Sequence, residues 1–206
     1  MDATERAAAL VGGDTTVLAH AARHDPDPRV RAVALAETVR RGPRATAREV
    51  WRDAARDTDA KVRLRAAQCA PRLGRSATSA ELTALLDDAD PLVAEAAAFA
   101  AGEHPRPGTR LLAAVTVAAT GHPDALVREA AVAALGSIGD PASLPAVLAA
   151  CDDKPAVRRR AVIALAAFEG DAVERRLAAA LHDRDWQVRQ AAEDLLHVGG
   201  APGIPE

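Results

Sequence analysis

The sequence predicts an all-α protein, an α-solenoid made of stacked two-helix units. Three observations carry this. Alanine supplies 53 of the 206 residues, while aromatic residues are 2% and tyrosine is absent. A core of this kind consists of many small contacts between closely approaching helices, and alanine is the strongest helix former. A valine-led phrase recurs six times at nearly constant spacing. A further apolar segment with helical periodicity precedes each copy.

The recurring phrase is Asp, a proline or small residue, any residue, Val, Arg. Its copies are Asp27-Pro28-Arg29-Val30-Arg31, Asp59-Ala60-Lys61-Val62-Arg63, Asp90-Pro91-Leu92-Val93-Ala94, Asp124-Ala125-Leu126-Val127-Arg128, Lys154-Pro155-Ala156-Val157-Arg158 and Asp185-Trp186-Gln187-Val188-Arg189. The valines are spaced by 32, 31, 34, 30 and 31 residues, and an alanine stands four residues after each: Ala34, Ala66, Ala97, Ala131, Ala161 and Ala192. Each copy reads as the start of a helix. The Asp carboxylate accepts the orphan N–H groups of the first turn, and proline beside it has no N–H to lose there. In the fourth copy the apolar stripe is Val127, Ala131, Ala134, Leu135 and Ile138; in the fifth it is Val157, Ala161, Ala164, Leu165 and Phe168.

The preceding helices are expected at residues 15–23, 45–56, 78–87, 109–120, 141–150 and 171–182, with Asp14, Thr78, Thr109 and Asp140 as caps. A further helical turn at 3–11 reads as an N-terminal cap. Breaks rich in glycine or proline separate the pairs, at Gly42-Pro43, 102–108, 136–141 and Gly170-Asp171. This divides a single solenoid over residues 1–198 into repeats at 14–42, 43–75, 76–104, 107–138, 139–169 and 170–197, leaving 199–206 as a flexible tail. Pro71 removes a backbone hydrogen bond late in its helix and is expected to kink or end it.

Asp-Pro-x-Val-Arg-x-x-Ala-Ala followed by Ala-Leu-Gly, the pattern of residues 124–136, resembles the HEAT repeat of the short phycobilisome-lyase-like type. The resemblance covers about residues 14–197. It implies a right-handed superhelix in which the later helix of each pair lines a concave face. It also implies a ladder between neighbouring units, formed here by Asp27, Asp59, Asp124 and Asp185 with Arg31, Arg63, Arg128, Arg158 and Arg189. Ala94 replaces the arginine of the third copy and Lys154 the aspartate of the fifth, so interruptions are expected at both.

Composition narrows the function. With 49% hydrophobic residues and a net charge of -3, the chain is not intrinsically disordered. No stretch of about 18 apolar residues is free of charges, so no membrane association is expected. Cys69 and Cys151 stand 82 residues apart in alanine-rich helical contexts and read as small buried hydrophobes. The opening Met1-Asp2-Ala3-Thr4-Glu5 lacks a basic region followed by an apolar run, and a cytoplasmic location is expected.

No catalytic constellation is legible, and no cofactor or metal is expected. His20 and His24 are four apart on one helix, but no third ligand is evident nearby. HEAT-like hydroxylases carry repeated His-Glu pairs, and this chain has no His-Glu dipeptide. Arginine clusters at 40–48, 158–160 and 175–176 read as ion-paired solvated faces, so nucleic acid is not the expected partner. Trp51 fits the apolar stripe of its helix, and Trp186 is placed to cover the end of the stack.

The expected work is that of a scaffold or adaptor binding another protein or a peptide on the concave face. Positions two, six and nine residues after each valine point away from the core stripe, either to solvent or, if the helices rotate, against the neighbouring unit. They nominate Leu64, Gln68, Glu95, Phe99, Glu129, Arg159, Ile163, Gln190 and Asp194 as partner-binding residues. Apolar Phe99, Ile163 and Leu64 alternate there with acids, which suits a peptide or helix with apolar anchors and some basic residues. Alternatives from another class are a bilin-lyase-like chaperone and a HEAT-like DNA glycosylase.

Overall fold

Five loop aspartates start five helices by the same local chemistry. The carboxylates of Asp27, Asp59, Asp90, Asp124 and Asp185 each accept the backbone N–H two residues on, at 2.8 to 3.0 Å. Lys154 begins the equivalent helix of the fifth copy without a side-chain cap. In the computed structural model, which describes residues 2–74, 77 and 79–199, these helices alternate with a second set. Among the described residues there are thirteen α-helices and no strand.

The chain divides into two compact units, Met1–Leu111 and Leu112–Glu206. The first holds α1 (Ala3–Leu10), α2 (Thr15–His24), α3 (Pro28–Arg41), α4 (Arg44–Ala54), α5 (Ala60–Leu73), α6 (Ser79–Leu86) and α7 (Pro91–Gly102). The boundary falls within α8 (Gly108–Gly121). The second continues with α9 (Ala125–Ile138), α10 (Leu144–Ala150), α11 (Pro155–Ala164), α12 (Asp171–Ala180) and α13 (Trp186–Gly199). Two 3-10 turns, Pro141–Ser143 and Leu165–Ala167, lead into α10 and out of α11.

In the first unit the valine-led helices form one layer, α3 against α5 and α5 against α7, while α2, α4 and α6 pack behind them. The second unit repeats this with α9, α11 and α13. The six repeat valines are at most 2% exposed, and the alanine four residues after each is fully buried. Small side chains let the layers approach closely. At Gly136 of α9 an added Cβ would sit 2.8 Å from the Ala164 Cβ of α11, so this crossing has no room for a methyl group.

Several local expectations are revised. Thr109 is not a cap, because α8 already begins at Gly108. The cap expected at Thr78 and the tail beyond Gly199 lie outside the described residues. Gly199 itself ends α13 rather than beginning a tail. Pro71 does not terminate α5 at once; the helix runs two residues further to Leu73 and stops at Gly74, whose φ of 54° suits glycine. Pro71 forfeits its own backbone bond, but the residues after it still complete the turn. In the fifth copy α11 stops at Ala164 and the chain tightens into the 3-10 turn, yet Leu165 and Phe168 remain buried. Cys69 and Cys151 are buried free thiols, and burial pushes both up in pKa.

Candidate functional site

Two features of the repeat compete for the role of a site: the arginine row along the loops and the outward face of the valine-led helices. In the arginine row, four of the five guanidiniums are fixed on two sides, and Arg189 on one. The Nη1 of Arg31 donates to the carbonyl of Asp25, that of Arg63 to Asp57, that of Arg128 to His122, that of Arg158 to Asp153 and that of Arg189 to Asp183, all at 2.7 to 2.9 Å. The Nε and Nη2 edge then grips a carboxylate of the next pair. Arg31 holds Asp57 and Arg63 holds Asp88 in the first unit; Arg128 holds Asp153 and Arg158 holds Asp183 in the second. Such fork-to-fork pairs are the strong geometry for arginine.

The acids differ from those expected. Asp27, Asp59, Asp124 and Asp185 cap their own helices, and the ladder acids are the residues one or two positions before the capping residue. The physical reason is reach. A capping carboxylate turns back into its own first turn, whereas the earlier loop residue faces the neighbouring pair. Asp57 also accepts the Asp59 N–H at 2.9 Å, so one side chain orders the loop and binds the arginine together. The interruption expected at the fifth copy does not occur, since Asp153 stands beside Lys154 and takes Arg128. In the third copy Ala94 is fully buried. At the position equivalent to the ladder acids, His122 accepts the Asp124 N–H through Nδ1. Arg189 meets no carboxylate among the described residues. An additional rung joins Arg6 of α1 to Asp25 at 3.0 Å.

Hydrogen bonds from Arg63, Arg128 and Arg158 hold Asp88, Asp153 and Asp183 below the ordinary carboxylate range. For Asp57 burial works the other way, but the bonds from Arg31 and the Asp59 N–H outweigh it. With every rung saturated, this row joins elements and offers no free edge to a ligand, apart from Arg189.

The outward face is different. None of the nine residues nominated from the sequence is buried. In the first unit Leu64 and Gln68 are on α5 and Glu95 and Phe99 on α7, which packs against it, with Leu64 and Glu95 half-buried and Phe99 63% exposed. In the second unit the structure gathers four of the nine. Arg159 and Ile163 of α11 face Gln190 and Asp194 of α13 across an open groove of about 400 Å³. Trp186, 64% exposed, forms a wall of it. Gln190 donates to Asp194 at 2.8 Å.

Ile163 has a second groove on its other side, about 430 Å³, floored by the small residues Ala133, Gly136, Ala164 and Ala167 and bordered by Arg160. Glu129 is not a free acid on this face. It is 18% exposed, with Arg159 at 3.9 Å and Arg160 at 3.5 Å on one oxygen.

Trp186 was the residue the sequence misplaced: it does not cover the end of the stack but stands in the groove. The signal was present, because 186, 190 and 194 form one i, i+4, i+8 stripe. Arg160 was missed because its position three residues after the valine is alanine in three of the other copies, Ala96, Ala130 and Ala191. His20 and His24 stand in ring contact at 4.7 Å. No group of three or more His, Cys, Asp or Glu with metal-binding geometry occurs among the described residues. No helix among them is long and apolar enough to cross a membrane.

The family model for HEAT repeats matches residues 15–102 and 79–156. Among curated proteins none matches. Solved structures with the same architecture include an engineered protein, at 19% identity and a TM-score of 0.67 over 90% of this chain and 98% of that one. A designed armadillo repeat protein in complex with the peptide (KR)4 aligns at 16% identity and a TM-score of 0.66, over 91% of this chain and all of that one. The Escherichia coli protein YibA aligns at 21% identity and 0.67, over 95% of this chain and 70% of that one. At these identities the likeness is one of fold.

Proposed function

The chain belongs to the HEAT-repeat family, and from that premise we propose that it is a non-enzymatic scaffold or adaptor that binds a partner protein or peptide on the face of its valine-led helices. The observation that carries this is the groove between α11 and α13, where Trp186 and Ile163 remain 64% and 41% exposed beside Arg159, Gln190 and Asp194. Large apolar side chains standing among a few polar groups are what a protein-binding hot spot is made of. The arginine row supports the same reading by elimination, because its polar groups are spent on holding the pairs together. The designed armadillo protein's complex with (KR)4 supports a peptide-binding mode for this architecture.

In this reading Phe99, with Leu64, Gln68 and Glu95, provides a second contact region on the first unit, and the protein works in the cytoplasm without a cofactor. The experiment is an affinity capture from native extract with wild type, Phe99→Glu and Trp186→Ala, run alongside duplex-DNA retardation at increasing salt and a bilin fluorescence titration. A protein retained by wild type and lost in the variants is the expected result. Retardation that fades with salt, or a bilin signal, with no captured protein, would replace the proposal by a nucleic-acid or chromophore function.

A further inference from the structure

The proposed binding face of the second unit also constrains what its occupant must be, and the following rests on that reading. Ile163 stands on the crest of α11 with a groove to either side. Arg159 borders the groove toward α13, and Arg160 the groove toward α9. Both lean on the single carboxylate of Glu129, at 3.9 and 3.5 Å. The Nε of each is buried and meets no acceptor among the described residues. Two cations therefore share one anion, and two desolvated donors lack the acceptors that burial ordinarily demands.

The grooves are apolar apart from these groups. Trp186, Ala191 and Leu195 line one, and alanines with Gly136 line the other. Packed helix axes lie about 8–10 Å apart. An extended chain advances about 3.3 Å per residue, so a strand crossing α11 places about three residues between one groove and the next.

We infer that this face takes an extended acidic–apolar segment of a partner protein: two apolar side chains about three residues apart, one in each groove, with an Asp or Glu between them on Arg159 and Arg160. The wider field does not oppose this decisively. Residues 112–206 carry 9 basic and 13 acidic side chains, a balance of -4, but exposed charges beyond about 8 Å are screened at physiological salt. The arginine pair lies within contact distance. Asp194, on the α13 side of the groove, keeps the acid of the occupant at the α11 crest.

The test is selection of a random twelve-residue peptide display library on the full chain, followed by synthesis of enriched peptides. Trp186 is exposed while Trp51 is fully buried, so a change in tryptophan emission reports occupancy of this groove. The expected consensus has an acid between two apolar residues. Its binding, followed by polarisation of labelled peptide, weakens at least tenfold in the double variant Arg159→Ala/Arg160→Ala and in Ile163→Ala, with helical circular dichroism unchanged. A basic or uncharged consensus, or affinity retained in the arginine variant, overturns the acidic occupant; loss of that binding in Trp186→Ala would leave the face itself standing. Binders indifferent to Trp186→Ala and Ile163→Ala overturn both readings, and a library with no enrichment overturns the inference.

Discussion

Arg31 donates from Nε and Nη2 to both oxygens of Asp57, at 2.8 Å each, and not to Asp59, the helix cap two residues later. The two carboxylates of one loop thus do different work. Asp57 ties one helical pair to the next, while Asp59 starts its own helix.

Replacing each acid separates those roles. Asp59→Ala removes a cap, a loss of about 1 kcal/mol. Asp57→Ala leaves a guanidinium that is 13% exposed without its counter-ion, and breaking a well-buried pair costs about 3–5 kcal/mol. Allowing for partial exposure, a loss of about 2 kcal/mol is expected for Asp57→Ala. Urea unfolding of the two variants decides it; equal losses would show that the rung contributes nothing beyond the loop.

Acid should destabilise the protein in a defined window. Arg63, Arg128 and Arg158 lower Asp88, Asp153 and Asp183 in the folded state. A lowered folded-state value means that the unfolded chain binds protons first. The ladder's contribution is complete above the unfolded carboxylate value of about 4 and disappears as pH falls through the lower folded values. The urea midpoint is expected to be nearly flat from about pH 7 to 5 and to drop below about pH 4. Asp88→Asn should shallow that drop, and an unchanged slope in this variant would remove Asp88 from the cause.

Gly136→Ala sets two effects against each other. Helix propensity favours alanine by about 1 kcal/mol. The new Cβ would lie 2.8 Å from that of Ala164, and overpacking costs about 1–3 kcal/mol. Net destabilisation is expected, seen as a lower melting temperature. A gain would mean that α9 and α11 separate freely.

Phe99→Ala and Val127→Asp should behave oppositely. Phe99 is 63% exposed, so its loss changes stability by about 0.5 kcal/mol or less while weakening partner capture. Val127 is fully buried, and an aspartate there is an unpaired charge in a dry core. Thermal melts of both, read beside the capture assay, check the assignment of faces. A large loss in Phe99→Ala would place that ring in the core.

The helices were legible because their signals are local. Asp27, Asp59, Asp90, Asp124 and Asp185 cap the residues immediately after them, and the valine and alanine four apart share one side of a helix by geometry alone. Helical phase turns Phe99 and Ile163 from the core stripe but does not say whether a neighbouring unit covers them; the packing leaves them 63% and 41% exposed. The ladder acids were not legible, because Asp57 and Asp59 are chemically identical and only the approach of the neighbouring pair selects one.

What the sequence by itself determined is therefore the helical-repeat class, the length of each unit and the core stripe, since all of these depend on interactions within a few residues. What only the tertiary structure decided is which carboxylate meets which arginine, that Trp186 walls a groove rather than covering an end, and that Glu129 is already held by Arg159 and Arg160. Those outcomes depend on side chains such as Arg158 and Asp183, 25 residues apart, or Arg160 and Glu129, 31 apart, whose meeting is set by how closely alanine-rich helices pack, a distance no local pattern encodes.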